Sequence, residues 1–289
     1  MKISRKGGGI NKKSGIRKPH PKHVGPKKKI NKPKSNNKNK SKMEVELKKN
    51  IPEIQKPEKP PTKSKLITSQ HLSPSEHRSF FIHQFESAND TKLSSLELES
   101  IQESYFVKLS EGVNQESGNL GQHIKGMFAS SWKKVLCDSQ LVEGKVEPGS
   151  PSVLVISASA LRSLEMLRGL RILTKECQAV KLFSKHIKID DQVALLKNRV
   201  NIACGTPSRI KKLCEMEALG LSRLDIVVLD MHTDVKGFSL LTLRQVRDEF
   251  WDLYKTYIHQ QLLQGNLCVC LYGPIPIDSG GSAKTSEDQ

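Results

Sequence analysis

The chain predicts an α/β fold: a single parallel sheet with helices on both faces. Three observations lead there. From Val153 onward, short apolar runs alternate with segments of helical periodicity. The runs are rich in Val and Ile and do not alternate with polar residues, as strands buried on both faces do not. The stretches between them carry helix start signals, the arrangement that parallel strands joined by crossover helices require.

Taken in order, structure is expected to begin near Ile67. In Ser69 to Ala88, Ser73 can cap a helix, Pro74 suits the first helical position and Glu76 completes a capping-box spacing. Phe80, Phe81, Ile82 and Phe85 supply its apolar face. His71, His77 and His83 lack an i, i+4 metal spacing and read as surface histidines. Leu93 to Ile101 reads as a helix or turn and Phe106 to Leu109 as a short strand or extended segment. His123 to Cys137 reads as a helix with Trp132 as a core anchor, and Leu141 to Ser152 as a loop. The expected strands are Val153 to Ile156, Ala179 to Phe183, Val200 to Ala203, Ile226 to Leu229 and Leu267 to Tyr272. The expected helices are Ser159 to Leu173, Asp190 to Lys197 with Asp190 as cap, Pro207 to Leu219 ended by Gly220, and Leu240 to Leu263.

Charge divides the 289 residues sharply. Residues 1–65 hold 22 Lys and Arg against 4 Asp and Glu, a net of +18, while the whole chain is +17, so residues 66–289 sum to −1. The first 65 residues are rich in Lys, Asn, Pro, Gly and Ser and cannot bury enough apolar surface to offset ordering entropy, so a disordered tail is expected there. Its basic runs, Lys27, Lys28 and Lys29, then Lys32, Lys34, Lys38, Lys40 and Lys42, suit nuclear import and salt-sensitive contact with RNA phosphates. A solvated linker without a partner is the plainer reading. The domain is expected over 66–276, with a second disordered tail at 277–289. No run of 18 apolar residues predicts a transmembrane helix, and the N-terminus lacks the apolar stretch of a secretory signal. Cys137, Cys177, Cys204, Cys214, Cys268 and Cys270 offer no C-x-x-C pair and read as reduced, buried thiols.

Functional residues of parallel sheets sit at the carboxyl ends of the strands. Those ends are Ser157 to Arg162, Ser184 to His186, Gly205 to Arg209 and Asp230 to Asp234. At the third, Gly205 turns the chain, Thr206 can cap and Pro207 opens a helix, so backbone N–H groups and Arg209 meet at a helix N-terminus, which favours an anion such as a phosphate. A plain capped turn fits the same residues. Asp230 reads either as a metal ligand or as a strand-end cap. No G-x-x-x-x-G-K-[ST] phosphate loop precedes the sheet. Gly280 to Thr285 imitates one only superficially, because Ala283 replaces the needed glycine within the last ten residues. No G-x-S-x-G elbow surrounds Ser157 or Ser159, and His186 has no nucleophile at a recognisable spacing. No catalytic constellation, cofactor site or metal site is expected.

These residues resemble the first RecA-like domain of DEAD-box RNA helicases. Val155 to Arg162 stands where that family has a strand followed by P-T-R-E-L. Gly205 to Ile210 is similar to T-P-G-R-L, with Ser208 for glycine, and Ile226 to Asp230 to the strand that leads into D-E-A-D. Over roughly residues 70–275 the chain more closely resembles the Cms-type ribosomal small subunit biogenesis proteins, an offshoot of that fold without the ATPase motifs. The carrying block is Val180 to Leu213, where KLFSKHIK and GTPSRIK echo the family's K-L-F-A-K-H-I-K and G-T-P-G-R-I-K; LSSLELESI (Leu93 to Ile101) also fits. The resemblance implies a degenerate RecA-like domain in a nuclear, nucleolar factor that binds pre-rRNA and pre-ribosomal small-subunit particle proteins. It implies no membrane and no small-molecule substrate. By the same resemblance Thr206, Pro207, Ser208 and Arg209, and more loosely Arg162, touch RNA phosphates, and Asp230 is a relic. The missing E-A-D, the missing phosphate loop and the lack of room for a second RecA-like domain argue against ATP hydrolysis. A degenerate RNA-dependent nucleotide hydrolase using Asp230, and a purely protein-binding nucleolar adaptor, are the alternatives.

Overall fold

A computed structural model describes residues 68–69, 72–138, 147–175 and 177–276, all within one compact unit, Pro61–Gln289. The two expected disordered tails, with the basic runs from Lys27 to Lys42, lie outside the described residues.

β1 (Thr68–Ser69) pairs antiparallel with β7 (Ile275–Pro276), joining the two ends of the described chain. α1 (Pro74–Asn89) begins as expected: Ser73 accepts from the Glu76 N–H, and the Glu76 carboxylate accepts from the Ser73 N–H at 2.7 Å. α2 (Ser95–Ser100) repeats the device with Ser94 and Glu97. The helix expected over 123–137 is shorter and earlier. α3 (Leu120–Phe128) ends where Ala129 takes φ +47°, and 3-10 and π turns follow.

The sheet then forms. β2 (Val153–Ile156) leads to α4 (Ala160–Gly169), β3 (Ala179–Leu182) to α5 (Ile189–Leu196), and β4 (Ile202–Gly205) to α6 (Pro207–Glu215). β5 (Ile226–Asp230) is followed by α7 (Arg244–Leu253), which runs through a π turn into α8 (His259–Leu263), and β6 (Cys268–Tyr272) closes the sheet. The order is β3-β4-β2-β5-β6, all parallel. Leu154 and Ile156 pack with α6 and α7 residues such as Ile210 and Trp251 on one face, while Val153 and Val155 pack with Leu120, Ile124 and Met166 of α3 and α4 on the other. The single parallel sheet with helices on both faces is therefore present.

Several ends move for tertiary reasons. β4 starts at Ile202, not Val200, because buried Asn201 is used as a junction; its Oδ1 accepts from the Gln178 N–H at 3.0 Å. Gly205 is the last strand residue rather than a turn. A Cβ there would lie 2.1 Å from the Leu182 carbonyl oxygen, so the close approach of β3 requires glycine. α4 stops at Gly169, where the Ser117 carbonyl packs against the backbone. α6 stops at Glu215: Glu217 takes φ +54°, and the N–H groups of Ala218 and Leu219 return to the Leu213 carbonyl. α5 is entered through Lys188, with Asp190 in its first turn rather than at the cap.

Candidate nucleic-acid interface

The register brings the strand ends into line. Ile156 lies opposite Gly205 and Leu229, Leu182 opposite Gly205, and Asp230 opposite Tyr272. Residues that follow them share one edge. The chain leaves β2 towards one face and β4 and β5 towards the other, so the crevice of such a sheet opens here.

Thr206 to Arg209 stands at this edge. Thr206 occupies the N-cap position of α6, yet neither its side chain nor any other described side chain makes a capping hydrogen bond there. The first-turn N–H groups are therefore the free donors a helix N-terminus offers an anion. Thr206 is half-buried, Pro207 buried and Ser208 exposed. Half-buried Arg209 has uncharged partners: its Nη1 donates to Gln192 Oε1 at 2.7 Å and to the Ile187 carbonyl at 3.4 Å. Gln192 is itself 1% exposed and donates through Nε2 to the carbonyls of Lys181 (2.7 Å) and Phe183 (3.1 Å) on the edge strand. It thus ties α5, the β3 edge and Arg209 together. Neighbouring cations are answered by carboxylates: Lys211 pairs with Asp252 and Glu215, and Lys212 with Glu215. An open cleft of about 530 Å³ adjoins the turn, lined by Ser184, Ser208, Arg209, Lys211 and Asp252 among others. Sequence reasoning missed Gln192. Its one signal is a polar residue that the α5 pattern leaves inward, which becomes informative only when the helix is docked.

Arg162 is brought to the same edge but faces elsewhere. Its Nε and Nη2 donate to Asp230 Oδ2 and Oδ1 at 3.0 and 2.9 Å, and its Nη1 to Glu165 at 2.5 Å. Asp230 is 1% exposed and also accepts from the His232 backbone N–H (3.3 Å) and pairs with His232 Nδ1 (2.8 Å). Burial alone raises the Asp230 carboxyl. The His232 and Arg162 hydrogen bonds and the Arg162 charge outweigh it and hold the group below the usual carboxylate range. This carboxylate is internally neutralised, and among the described residues no cluster of His, Cys, Asp and Glu suits a metal.

At the other end of the edge, Phe106 forms a parallel bridge with Val269, so the expected extended segment adds a sixth position beside β6. The loop after it reaches the carboxyl end of β6. The Tyr272 hydroxyl donates to the Glu116 carbonyl at 2.7 Å, and the Gly273 N–H to Gln115 Oε1 at 2.9 Å.

Two readings of the sequence are corrected. His77 is a core residue, 3% exposed, because the capped α1 turns it inward; burial lowers its pKa, and its Nδ1 has no hydrogen-bond partner. His83 is exposed, and His71 lies outside the described residues. Cys177 is disulfide-bonded, since spacing along the chain does not report which sulfurs the fold brings together. Cys204, Cys214, Cys268 and Cys270 are free, and burial raises each thiol, Cys214 to about 12. The side chain of Cys137 lies outside the described residues. Among the described residues no helix is long and apolar enough to cross a membrane.

Comparison with known proteins supplies a family. The family model CMS1, described as a U3-containing 90S pre-ribosomal complex subunit, matches residues 13–272. Protein CMSS1 of Homo sapiens is 36% identical over 128 residues, covering 43% of this chain and 46% of the relative. Protein CMS1 of Chaetomium thermophilum is 32% identical over 158 residues, covering 54% and 61%. The matches thus span about half the length of these curated relatives. Among solved structures, S. cerevisiae dbp5 aligns at 13% identity with a TM-score of 0.37, over 69% of this chain and 47% of that one. The yeast DEAD-box splicing factor Prp28 aligns at 9% and 0.34, over 65% and 52%.

Proposed function

Because the chain belongs to the CMS1 family of U3-containing 90S pre-ribosomal complex subunits, we propose that it is a non-catalytic RNA-binding factor of small-subunit ribosome biogenesis. In this reading it works in the nucleolus, on pre-rRNA and beside the proteins of the pre-ribosomal particle. One observation carries the RNA part: the α6 N-terminus has no side-chain cap, and Arg209 is held beside it by uncharged partners. Free N–H donors, the helix dipole and a pre-positioned guanidinium suit a phosphate. Such contacts position a nucleic-acid backbone without reading its sequence. The basic tail, net +18 over residues 1–65, supplies long-range attraction. Arg162 is the weaker member of the expected phosphate set, since two carboxylates already face it.

Two features support the non-catalytic part. No phosphate-loop sequence precedes the sheet. The Glu116 carbonyl and the Gln115 side chain take up hydrogen-bonding groups at the carboxyl end of β6.

The test is RNA affinity of the full chain, of a chain lacking residues 1–65, and of Arg209→Ala. Loss of one phosphate contact makes the slope of log K against log salt shallower by about 0.7 for a single strand. Arg209→Ala is expected to show that change with the fold retained and the melting temperature only modestly lowered, since the buried Gln192 Oε1 loses this donor, and the truncated chain a much larger change in slope. If no form binds rRNA even at low salt, the RNA reading is wrong. If Arg209→Ala binds as the parent does, Thr206 to Arg209 is only a turn.

A further inference from the structure

We propose that a second phosphate-binding surface lies in the groove between the C-terminal end of α4 and the β3 edge, and that a single-stranded RNA backbone crosses it. This inference rests on the RNA-binding reading above. The groove has a volume of about 490 Å³ and takes its cations from two elements: Arg168 and Arg171 from α4 and the turn after it, and Lys181 from β3. All three are exposed. Thr174 and Gln178 add polar groups, and no carboxylate is among the described residues that line it. The α4 dipole favours Arg168 and Arg171 near its C-terminal end, but it does not account for Lys181, which the sheet contributes. Residues 66–289 sum to −1, so a described lining that holds three cations and no carboxylate is a local departure from a nearly neutral sequence.

The groove's place in the fold supports the occupant. Lys181 and Ala179 share one face of β3 by the two-residue period of a strand, and both line the groove. Past β3 the chain passes through exposed Ser184, Lys185 and His186 to Ile187, whose carbonyl accepts from Arg209. The groove and the Thr206 to Arg209 turn thus flank a single edge strand of four residues. Gln192 holds the outward carbonyls of Lys181 and Phe183, which closes this stretch of the edge to an added peptide strand. No aromatic side chain lines the groove among the described residues, so the contacts it offers are to phosphates rather than stacked bases.

The experiment measures binding of the full chain to labelled oligouridines of about 6 and about 20 nucleotides, lengths that bracket one single-strand site and a longer track. The variant combines Arg168→Ala, Arg171→Ala and Lys181→Ala. For the longer RNA its affinity is expected to fall on the order of tenfold at ~0.1 M salt, with the salt slope shallower by about 2. The shorter RNA is expected to be affected much less, and the melting temperature to be unchanged because the replaced side chains are exposed. A parent that binds the longer RNA while the triple variant matches it in affinity and slope overturns the groove and leaves the Arg209 reading standing. A parent that binds no RNA sinks the RNA reading itself. Binding of labelled polyglutamate that the triple variant loses, with RNA affinity unchanged, assigns the groove to an acidic protein instead.

Discussion

Arg162 gives two hydrogen bonds to a carboxylate that is 1% exposed, so without it Asp230 keeps, among the described residues, the hydrogen bonds of His232. Removing one partner of a buried ion pair costs far more than the pair contributes over an apolar replacement, because the other charge is stranded. Arg162→Ala is therefore expected to destabilise the fold by on the order of 3 kcal/mol in urea melts at neutral pH. The folded pKa of Asp230 lies below its unfolded value of ~3.9, so its stabilising contribution is present above that pH and is lost as pH falls through the folded value. In Arg162→Ala less opposes the raising effect of burial, and the acid limb of the stability curve should move to higher pH. An unmoved limb would mean that His232 alone holds the carboxylate. The strand-end position of Asp230 was legible in the sequence. Its partner 68 residues away was not, because nothing local to either residue encodes the meeting.

At the scale of elements, strands were read more faithfully than helix ends. Strand cores such as Val153–Ile156 and Ile226–Leu229 are buried on both faces, which their unbroken apolar sequences state directly. The α1 capping box was legible because both partners lie within one turn. The end of α4 is set by a distant segment, Ser117 against Gly169, whereas α6 ends earlier than Gly220 suggests because Ala218 and Leu219 turn back to the Leu213 carbonyl. Gly205 joins the two scales. The sequence marks it as a turn glycine, whereas its role is the approach of β3 to β4. Gly205→Ala should cost about 1–3 kcal/mol, since backbone rather than a flexible side chain must give way. The measurement is the urea midpoint of the variant, and a midpoint equal to the parent's would show that β3 shifts freely. The same shift would disturb Gln192 and Arg209, so the RNA salt slope should change with it.

For the whole molecule the central contrast is between residues 1–65, of net +18, and residues 66–289, which sum to −1. Attraction to polyanions is then expected to be dominated by the tail at long range, with the domain fixing where the backbone lies. The loop over the carboxyl end of β6 bears on catalysis. Tyr272 and Gly273 are bonded to Glu116 and Gln115, and Asp230 to Arg162, so these groups at the strand ends are already engaged with one another. Full chain incubated with ATP and RNA is expected to release no phosphate above the uncatalysed background. RNA-stimulated turnover that Asp230→Asn abolishes would replace the non-catalytic reading with a hydrolase.

The sequence by itself determined the fold class, the charge division and the position of the Thr206 to Arg209 turn. Apolar runs, charge counts and a Gly-Thr-Pro start signal are local facts, and local physics suffices to read them. Only the tertiary structure decided which cations of the edge are committed. Arg162 is taken by Asp230, Lys211 by Asp252, and Arg209 is held by Gln192 and the Ile187 carbonyl, with no ion pair among the described residues. It also decided that Arg168, Arg171 and Lys181 share one groove. The pairings of Arg162, Lys211 and Arg209 join residues 17 to 68 positions apart. They follow from how parallel strands align their ends, which no window of sequence contains.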